Sequence, residues 1–287
     1  MKTNIRRIII DRLFYYIIII CSAMVAVPLF SIVGKVFVSG IKQLRWDFFT
    51  KPAPTSLEAM QALSAGEPIP GGIANGMVGM LLIVVMAALI AIPVGIGCGI
   101  YISENRHHKM AKLIRFVCEL LQGVPSIVLG IVIYAWVVVP MGSYSAIAGA
   151  AAFAVMMIPL IARSTEETLN LLPLSLKESA LALGTSYTSM IFKVWLPSGF
   201  SGIFTGVMLA VSRVMGETAP LMLTALGSIF IQWDVTKPNS SVSLLIWQFY
   251  NDPNLQDMIW SASLFLLALV LTMNICAKWI SKKYQTV

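Results

Sequence analysis

Apolar side chains run along this chain in stretches of about 20 residues parted by short polar breaks, the length a helix needs to cross ~30 Å of hydrocarbon. Six stretches stand out: Phe14–Val33, Met77–Ile102, Phe116–Val139, Tyr144–Ala162, Gly199–Leu226 and Ile259–Ile280. Each is about twice the length of a barrel strand and lacks strict alternation, so an outer-membrane barrel is excluded. The pattern predicts an all-α polytopic membrane protein with about six transmembrane helices. The first stretch follows Arg6, Arg7 and Arg12. It is longer than a signal-peptide core and no A-x-A-like site follows it, so it reads as a retained membrane helix. The expected organisation is a cytoplasmic tail over 1–13, a first helix with a long outer loop over 14–76, a five-helix core over 77–280 and a tail over 281–287.

Composition agrees. Of the 287 residues 58% are hydrophobic and 11% charged, against about a quarter charged in soluble domains. The net charge of +7 is better explained by membrane orientation than by nucleic-acid binding. Of the 20 Lys and Arg, Lys2, Arg6, Arg7 and Arg12, then Arg106, Lys109, Lys112 and Arg115, then Arg163, Lys177 and Lys193, and finally Lys278, Lys282 and Lys283 fall on one side if both ends share it. Only Lys35, Lys42, Arg45, Lys51 and Lys237 fall on the other, which predicts both termini in the cytoplasm. Cys21, Cys98, Cys118 and Cys276 lie in or beside apolar stretches without C-x-x-C spacing and read as packing residues.

The outer segment from Gly34 to Gly76 is rich in Pro and Gly, with Trp46, Phe48 and Phe49 near its start, and is expected to be a partly ordered flap. The second outer segment, Gly227 to Met258, sets Asp234, Asp252 and Asp257 against Lys237; this mild acidity suits an anionic solute that arrives escorted. Within the spans, Pro28, Pro93, Pro125, Pro159 and Pro220 predict bent or broken helices. Gly95 with Gly99, and Gly202 with Gly206, predict close helix approaches.

Arg213 and Glu217 stand inside the fifth stretch, where a charge facing lipid costs at least ~2.5 kcal/mol, so they must face protein or water. At i and i+4 they are expected to share a helix face and neutralise one another. A guanidinium stays charged and can hold two oxygens of a phosphate or sulfate at once. Arg163, at the inner end of the fourth stretch, is a second candidate station. Glu119 is a candidate partner for one of the arginines.

The inner segment 164–197 is patterned as a knob. Ser175-Leu176-Lys177-Glu178 has capping-box spacing. A short helix from there is expected to pass Ala180 and Leu183 and end at Gly184, and Thr185 or Ser186 to cap a second helix that stops near Pro197. Glu178-Ser179-Ala180, Gly184 after three residues, and Val194-Trp195-Leu196-Pro197 after nine more resemble the EAA loop of bacterial ABC importer permeases, E-A-A-x3-G-x9-I-x-L-P. Ser179 replaces an alanine and Val194 the isoleucine. Ser212–Leu221, with Gly216-Glu217-Thr218-Ala219-Pro220-Leu221 at its heart, is similar to the signature of the A-type permeases of phosphate-uptake systems. Leu121–Val128 and Arg163–Glu167 look like the same subunit.

The resemblance implies a MetI-like permease fold in a bacterial inner membrane. It implies as partners a second homologous permease, a cytoplasmic ABC ATPase dimer and a periplasmic phosphate-binding protein. Carried over by position, Arg213 and Glu217, with Arg163 as a weaker third, would serve phosphate translocation. Glu178, Ala180, Gly184, Leu196 and Pro197 would serve ATPase coupling. No G-x-x-x-x-G-K-[ST] loop occurs, so ATP hydrolysis is expected in another chain and the chain itself is not expected to be an enzyme. No cofactor or metal is expected: no H-E-x-x-H or G-x-S-x-G motif occurs, and His107 and His108 read as a solvated basic loop. A permease for sulfate or molybdate, and an ion-coupled secondary transporter, remain as alternatives.

Overall fold

Hydrocarbon offers no partner for a backbone N–H or C=O, so each apolar stretch is driven into helix unless protein or water satisfies its breaks. A computed structural model describes residues 2–284, and no strand is found among them. The first helix, α1 (Lys2–Gly40), takes in the expected tail and continues into the outer loop. That loop carries two short helices, α2 (Trp46–Thr50) and α3 (Ser56–Ser64). It is ordered: Phe48 is buried, its carbonyl accepts from Ile73 N–H at 2.8 Å, and α3 opens with a capping box between Thr55 and Glu58.

Then α4 (Ala74–Glu104) crosses the layer. The third expected span is broken. α5 (Lys109–Gly123) and α6 (Ser126–Ile133) meet where Val124 is extended (ψ 130°), as the residue before Pro125 must be. The segments Lys109–Gly123 and Ser126–Met141 diverge by 107°. The fourth, α7 (Ala146–Leu171), is capped by Ser145 and runs nine residues beyond the expected Ala162. Its polar extension is held by Arg163, which pairs with Glu167 one turn on.

In the inner knob, α8 (Leu174–Ala182) begins one residue before Ser175, from Pro173. The expected capping box does not form: proline's fixed φ of −63° sets the entry to the helix and leaves Ser175 inside the first turn. The helix closes at Leu183 with Gly184 at φ +79°, as expected. Ser186 caps α9 (Tyr187–Met190) by accepting from Ser189 N–H. A π turn over Ile191–Trp195 carries the helix on to Leu196–Ser198; a matching π turn, Tyr134–Val138, follows α6. Each lies two residues ahead of a proline, Pro197 or Pro140, whose ring cannot join a regular ladder.

The fifth expected span is shorter than its apolar run. α10 (Phe200–Met215) stops at Gly216, and α11 (Ala219–Thr224) follows with Pro220 in its first turn. α12 (Val242–Tyr250) lies in the outer segment, and α13 (Gln256–Tyr284) makes the last crossing. Counting each bent pair as one span gives up to six crossings. Residues 285–287 of the expected C-terminal tail lie outside the described residues.

The core sits on α7, whose Phe153, Met157 and Ile161 are almost fully buried. A Cβ at Gly95 would meet Ile161 Cβ at 2.7 Å, and one at Gly99 would meet Thr165 Cβ at 2.5 Å, so α4 lies on α7 at backbone distance. On a neighbouring face, a Cβ at Gly202 would fall 2.5 Å from Thr168, and one at Gly206 inside the radius of the Ser164 hydroxyl. Both glycine pairs therefore serve α7. By contrast, the membrane-length part of α1 has no buried residue in its most apolar window. It is held near its outer end, where Gly40 abuts Leu264, Ser261 donates to its carbonyl at 2.7 Å, and Lys35 sits 4.9 Å over the Trp260 ring.

Replacing Gly206 by Ala should destabilise the protein by about 1–3 kcal/mol through overpacking, and adding Ser164→Gly should restore much of the loss; thermal unfolding in detergent reads both. In the outer loop, the N–H and then the hydroxyl of Thr55 hold the Glu58 carboxyl below its ordinary range. A lowered folded-state value stabilises above the unfolded pKa of about 4.3 and is lost as pH falls through the lowered one. Hydrogen exchange of the first turn of α3, corrected for intrinsic rates, should speed up on acidification, and Thr55→Ala should abolish that pH dependence.

Candidate functional site

Two helix breaks face one another inside the bundle. One is the Val124-Pro125 corner between α5 and α6; the other is the Gly216–Thr218 gap between α10 and α11. They are brought together by α11, which packs on α6 so closely that a Cβ at Gly130 would sit 2.8 Å from Pro220 Cα. Between them is a cavity of about 150 Å³ whose wall includes Gln122, Pro125, Ser126, Met156, Arg213 and Glu217. Gln122 Nε2 donates to the Pro159 carbonyl at 3.1 Å, which ties the α5 corner to α7.

Arg213 and Glu217 thus share a cavity but not a helix face. The α-helix ends at Met215, so Glu217 is no longer one turn above Arg213, and the expected neutralising pair is not made. Its backbone carbonyl accepts instead from Ser243 at 2.9 Å, and Thr218 donates to the Ser243 carbonyl at 3.4 Å. Arg213 is exposed within the chain, Glu217 half-buried. Among the described residues no carboxylate pairs with the Arg213 guanidinium. It stands about 20 Å along the helix axis from Gly199 at ~1.5 Å per residue. The start of α6 opens at Ser126 with no side-chain cap, and such an end carries unpartnered N–H groups and a partial positive charge. Cationic side chain, helix start and small volume are together the chemistry that would suit a compact oxyanion.

Arg163 lies apart from that cavity. It is bound by Glu167 at 2.7 Å and by Glu119 at 3.3 Å, and Arg115 pairs with the buried Glu166. These pairs lash α5 to α7, which gives Glu119 its partner. His108 caps α5 by accepting from Met110 N–H. Sequence reasoning missed the part played by Asn239, Ser240, Ser241 and Ser243, all buried. They belong to an outer segment judged only by its charge; a run of small hydroxyl residues in front of an apolar stretch was the available signal.

The knob is joined to the bundle by a small core of Leu169, Ala180, Met190, Trp195 and Ile203. Lys177 pairs with Glu104 at the end of α4, and the Tyr187 hydroxyl donates to the same carboxylate. Its outer surface shows Glu178, Gly184 and the exposed side chains of Leu174, Leu181 and Leu183. Leu196 and Pro197 line an apolar groove of about 860 Å³ beside α10.

The family model for binding-protein-dependent transport system inner membrane components matches residues 91–286. The phosphate transport system permease protein PstA of Pasteurella multocida is 36% identical, over 83% of this chain and 88% of its own length. That of Yersinia pestis is 39% identical over 74% of this chain and 73% of its own. A probable phosphate transport system permease protein PstA of Methanocaldococcus jannaschii is 30% identical over 98% of this chain and 97% of its own. Among solved structures, an inward-facing MetNI methionine ABC transporter chain is 19% identical, covers 72% of this chain and 94% of that one, and superposes with a TM-score of 0.60. That likeness concerns the fold alone. The broken crossings, the inner knob and the relatives agree: this is a multi-pass inner-membrane transport component, and the chain belongs to the family of binding-protein-dependent transport system inner membrane components.

Proposed function

We propose that the chain is the permease subunit of an ATP-driven importer that carries inorganic phosphate inward by alternating access. The observation that carries this reading is Arg213. It is a guanidinium without a carboxylate partner among the described residues, and it stands in a cavity at the meeting of two broken helices. A site of this kind can take a tetrahedral oxyanion and release it, because its charge is not already spent on a fixed neighbour. Likeness to the phosphate permeases of several organisms supports phosphate over sulfate or molybdate. An ion-coupled carrier is not favoured.

Arg213 and Glu217 are the proposed translocation residues, with Glu217 a mobile counter-charge that can hold the guanidinium when no anion is bound. Arg163, paired with both Glu119 and Glu167, is proposed to steady the inner end of the pathway and not to bind phosphate in this conformation. A dianion needs more than one positive group, so a homologous second permease is proposed to face Arg213 across a shared seam. A phosphate-binding protein would deliver the solute from outside. Inside, a pair of ATPase subunits would grip the exposed face of α8 as a helix in a groove. Glu178 and Gly184 would lie at that contact, with Ala180, Leu196 and Pro197 carrying its movement to α10.

Arg213→Gln should lower phosphate uptake by about tenfold to a hundredfold, the loss of one or two charge-assisted hydrogen bonds, while the complex still assembles and hydrolyses ATP. Uptake by right-side-out vesicles is the measurement, and normal phosphate transport would sink the reading. Gly184→Val should strain a backbone at φ +79°, at a cost of about 1–2 kcal/mol. The ratio of phosphate moved to ATP hydrolysed should fall severalfold in proteoliposomes; an unchanged ratio would remove Gly184 from the coupling path.

A further inference from the structure

The Arg213 cavity has a second ionisable side chain in its wall, and its charge is of the wrong sign for an anion site. Glu217 lines the same small volume as the guanidinium. It is half-buried, and its carboxylate makes no hydrogen bond or ion pair among the described residues. Its backbone, by contrast, is held. The buried Ser243 hydroxyl donates to the Glu217 carbonyl at 2.9 Å, and the neighbouring Thr218 hydroxyl donates to the Ser243 carbonyl at 3.4 Å. Only the side chain is left free to meet a solute.

An ionised carboxylate has acceptors and no donor. Beside an anion it is repulsive, more so away from bulk water, unless the anion brings a proton to share. Tetrahedral oxyanions differ in this respect. At neutral pH inorganic phosphate keeps a P–OH group and can donate a hydrogen bond, whereas sulfate has lost both protons and can only accept. The other polar side chains of the wall do not separate the two. Arg213 donates to either ion. The Ser126 hydroxyl can turn to donate or to accept. Gln122 gives an amide N–H to the Pro159 carbonyl at 3.1 Å, and its oxygen is an uncharged acceptor. Glu217 is the wall group whose interaction changes sign between the two anions.

We propose that Glu217 selects phosphate over sulfate in this cavity by accepting a hydrogen bond from the P–OH group, while Arg213 donates to the unprotonated oxygens. The proposal rests on the phosphate-import reading of the Arg213 cavity and adds to it the residue that reads the anion's proton. The proton stays on phosphate and is shared in the hydrogen bond. A site built to pair with a substrate hydroxyl rejects an analogue that lacks it, and for a half-buried carboxylate the expected discrimination is about a hundredfold.

The test uses the assembled transporter containing this chain, purified in detergent without a binding protein, whose own preference would otherwise decide the result. Radiolabelled inorganic phosphate is the probe in equilibrium dialysis at slightly alkaline pH, where phosphate and sulfate are both dianions. Unlabelled phosphate, arsenate and sulfate are the competitors. The difference between the parent and Arg213→Gln defines the Arg213-dependent class of sites. In that class arsenate, which keeps a proton as phosphate does, should displace the label as well as phosphate does, and sulfate should need about a hundredfold more. Glu217→Gln should lower the sulfate-to-phosphate ratio by about tenfold or more, and Glu217→Asp should restore part of it. A carboxylate that served only as a counter-charge would affect both dianions alike. An unchanged ratio in Glu217→Gln would therefore overturn the proposal, as would sulfate that competes as well as arsenate in the parent. Glu217→Gln and Glu217→Asp complexes that bind neither anion would make Glu217 a structural residue and overturn it too. Phosphate binding that Arg213→Gln leaves unchanged would instead bring down the translocation reading, and this proposal with it.

Discussion

The approach of α4 and α10 onto neighbouring faces of α7 is the constraint on which the rest of the molecule depends. Helix association within a membrane gains little from the hydrophobic effect and relies on close packing. Here the contact is made by two glycine pairs, Gly95 with Gly99 and Gly202 with Gly206, against Ile161, Thr165, Thr168 and Ser164. With α7 as a common spine, α10 is set in height and rotation, and Arg213 near its end is carried to the level of the α5–α6 corner. The ion pairs from Arg115 and Arg163 then fix α5 to the same spine. The location of the small cavity is thus a product of backbone-level packing elsewhere.

Broken helices are costly in a membrane unless their loose backbone groups are met by protein or water. The break after Met215 is met in part by another element, since the Ser243 hydroxyl donates to the Glu217 carbonyl and the Thr218 hydroxyl donates to the Ser243 carbonyl, while the Gln122 side chain ties the other break to α7. The remaining uncapped start of α6 faces the cavity. Under the proposed function, the anion would be received by what the fold leaves unsatisfied. The two π turns ahead of Pro140 and Pro197 show another solution, in which the helix widens by one residue and stays continuous.

Much of this was legible in the chain. Apolar length gave the crossings, glycine spacing gave the close helix approaches but not the helix approached, and Gly184 gave the end of the first knob helix. What periodicity could not show was where an apolar run stops being straight. Pro125 marked the bend in Phe116–Val139, which turns at Val124-Pro125, but hydropathy continues past Met215 in Gly199–Leu226, where the helix ends. Hydropathy reports the solvent and not the dihedral angle, so the i, i+4 pairing of Arg213 with Glu217 was inferred across a helix end. The capping-box pattern at Ser175 misled for a related reason: local spacing could not weigh Pro173, which opens the helix a residue earlier. The outer segments were read by Pro and Gly content and by charge, whereas their buried serines and Asn75, which accepts from Ala53 N–H and donates to the Ser228 carbonyl, depend on contacts distant in sequence.

The clasp between Gly40 and the start of α13 joins the beginning of the polypeptide to its end. Ribosomal synthesis delivers α1 ahead of the core, and the residues that fasten it, Trp260, Ser261 and Leu264, only after most of the core. During synthesis, therefore, α1 cannot be fastened at this clasp until Trp260, Ser261 and Leu264 have followed it.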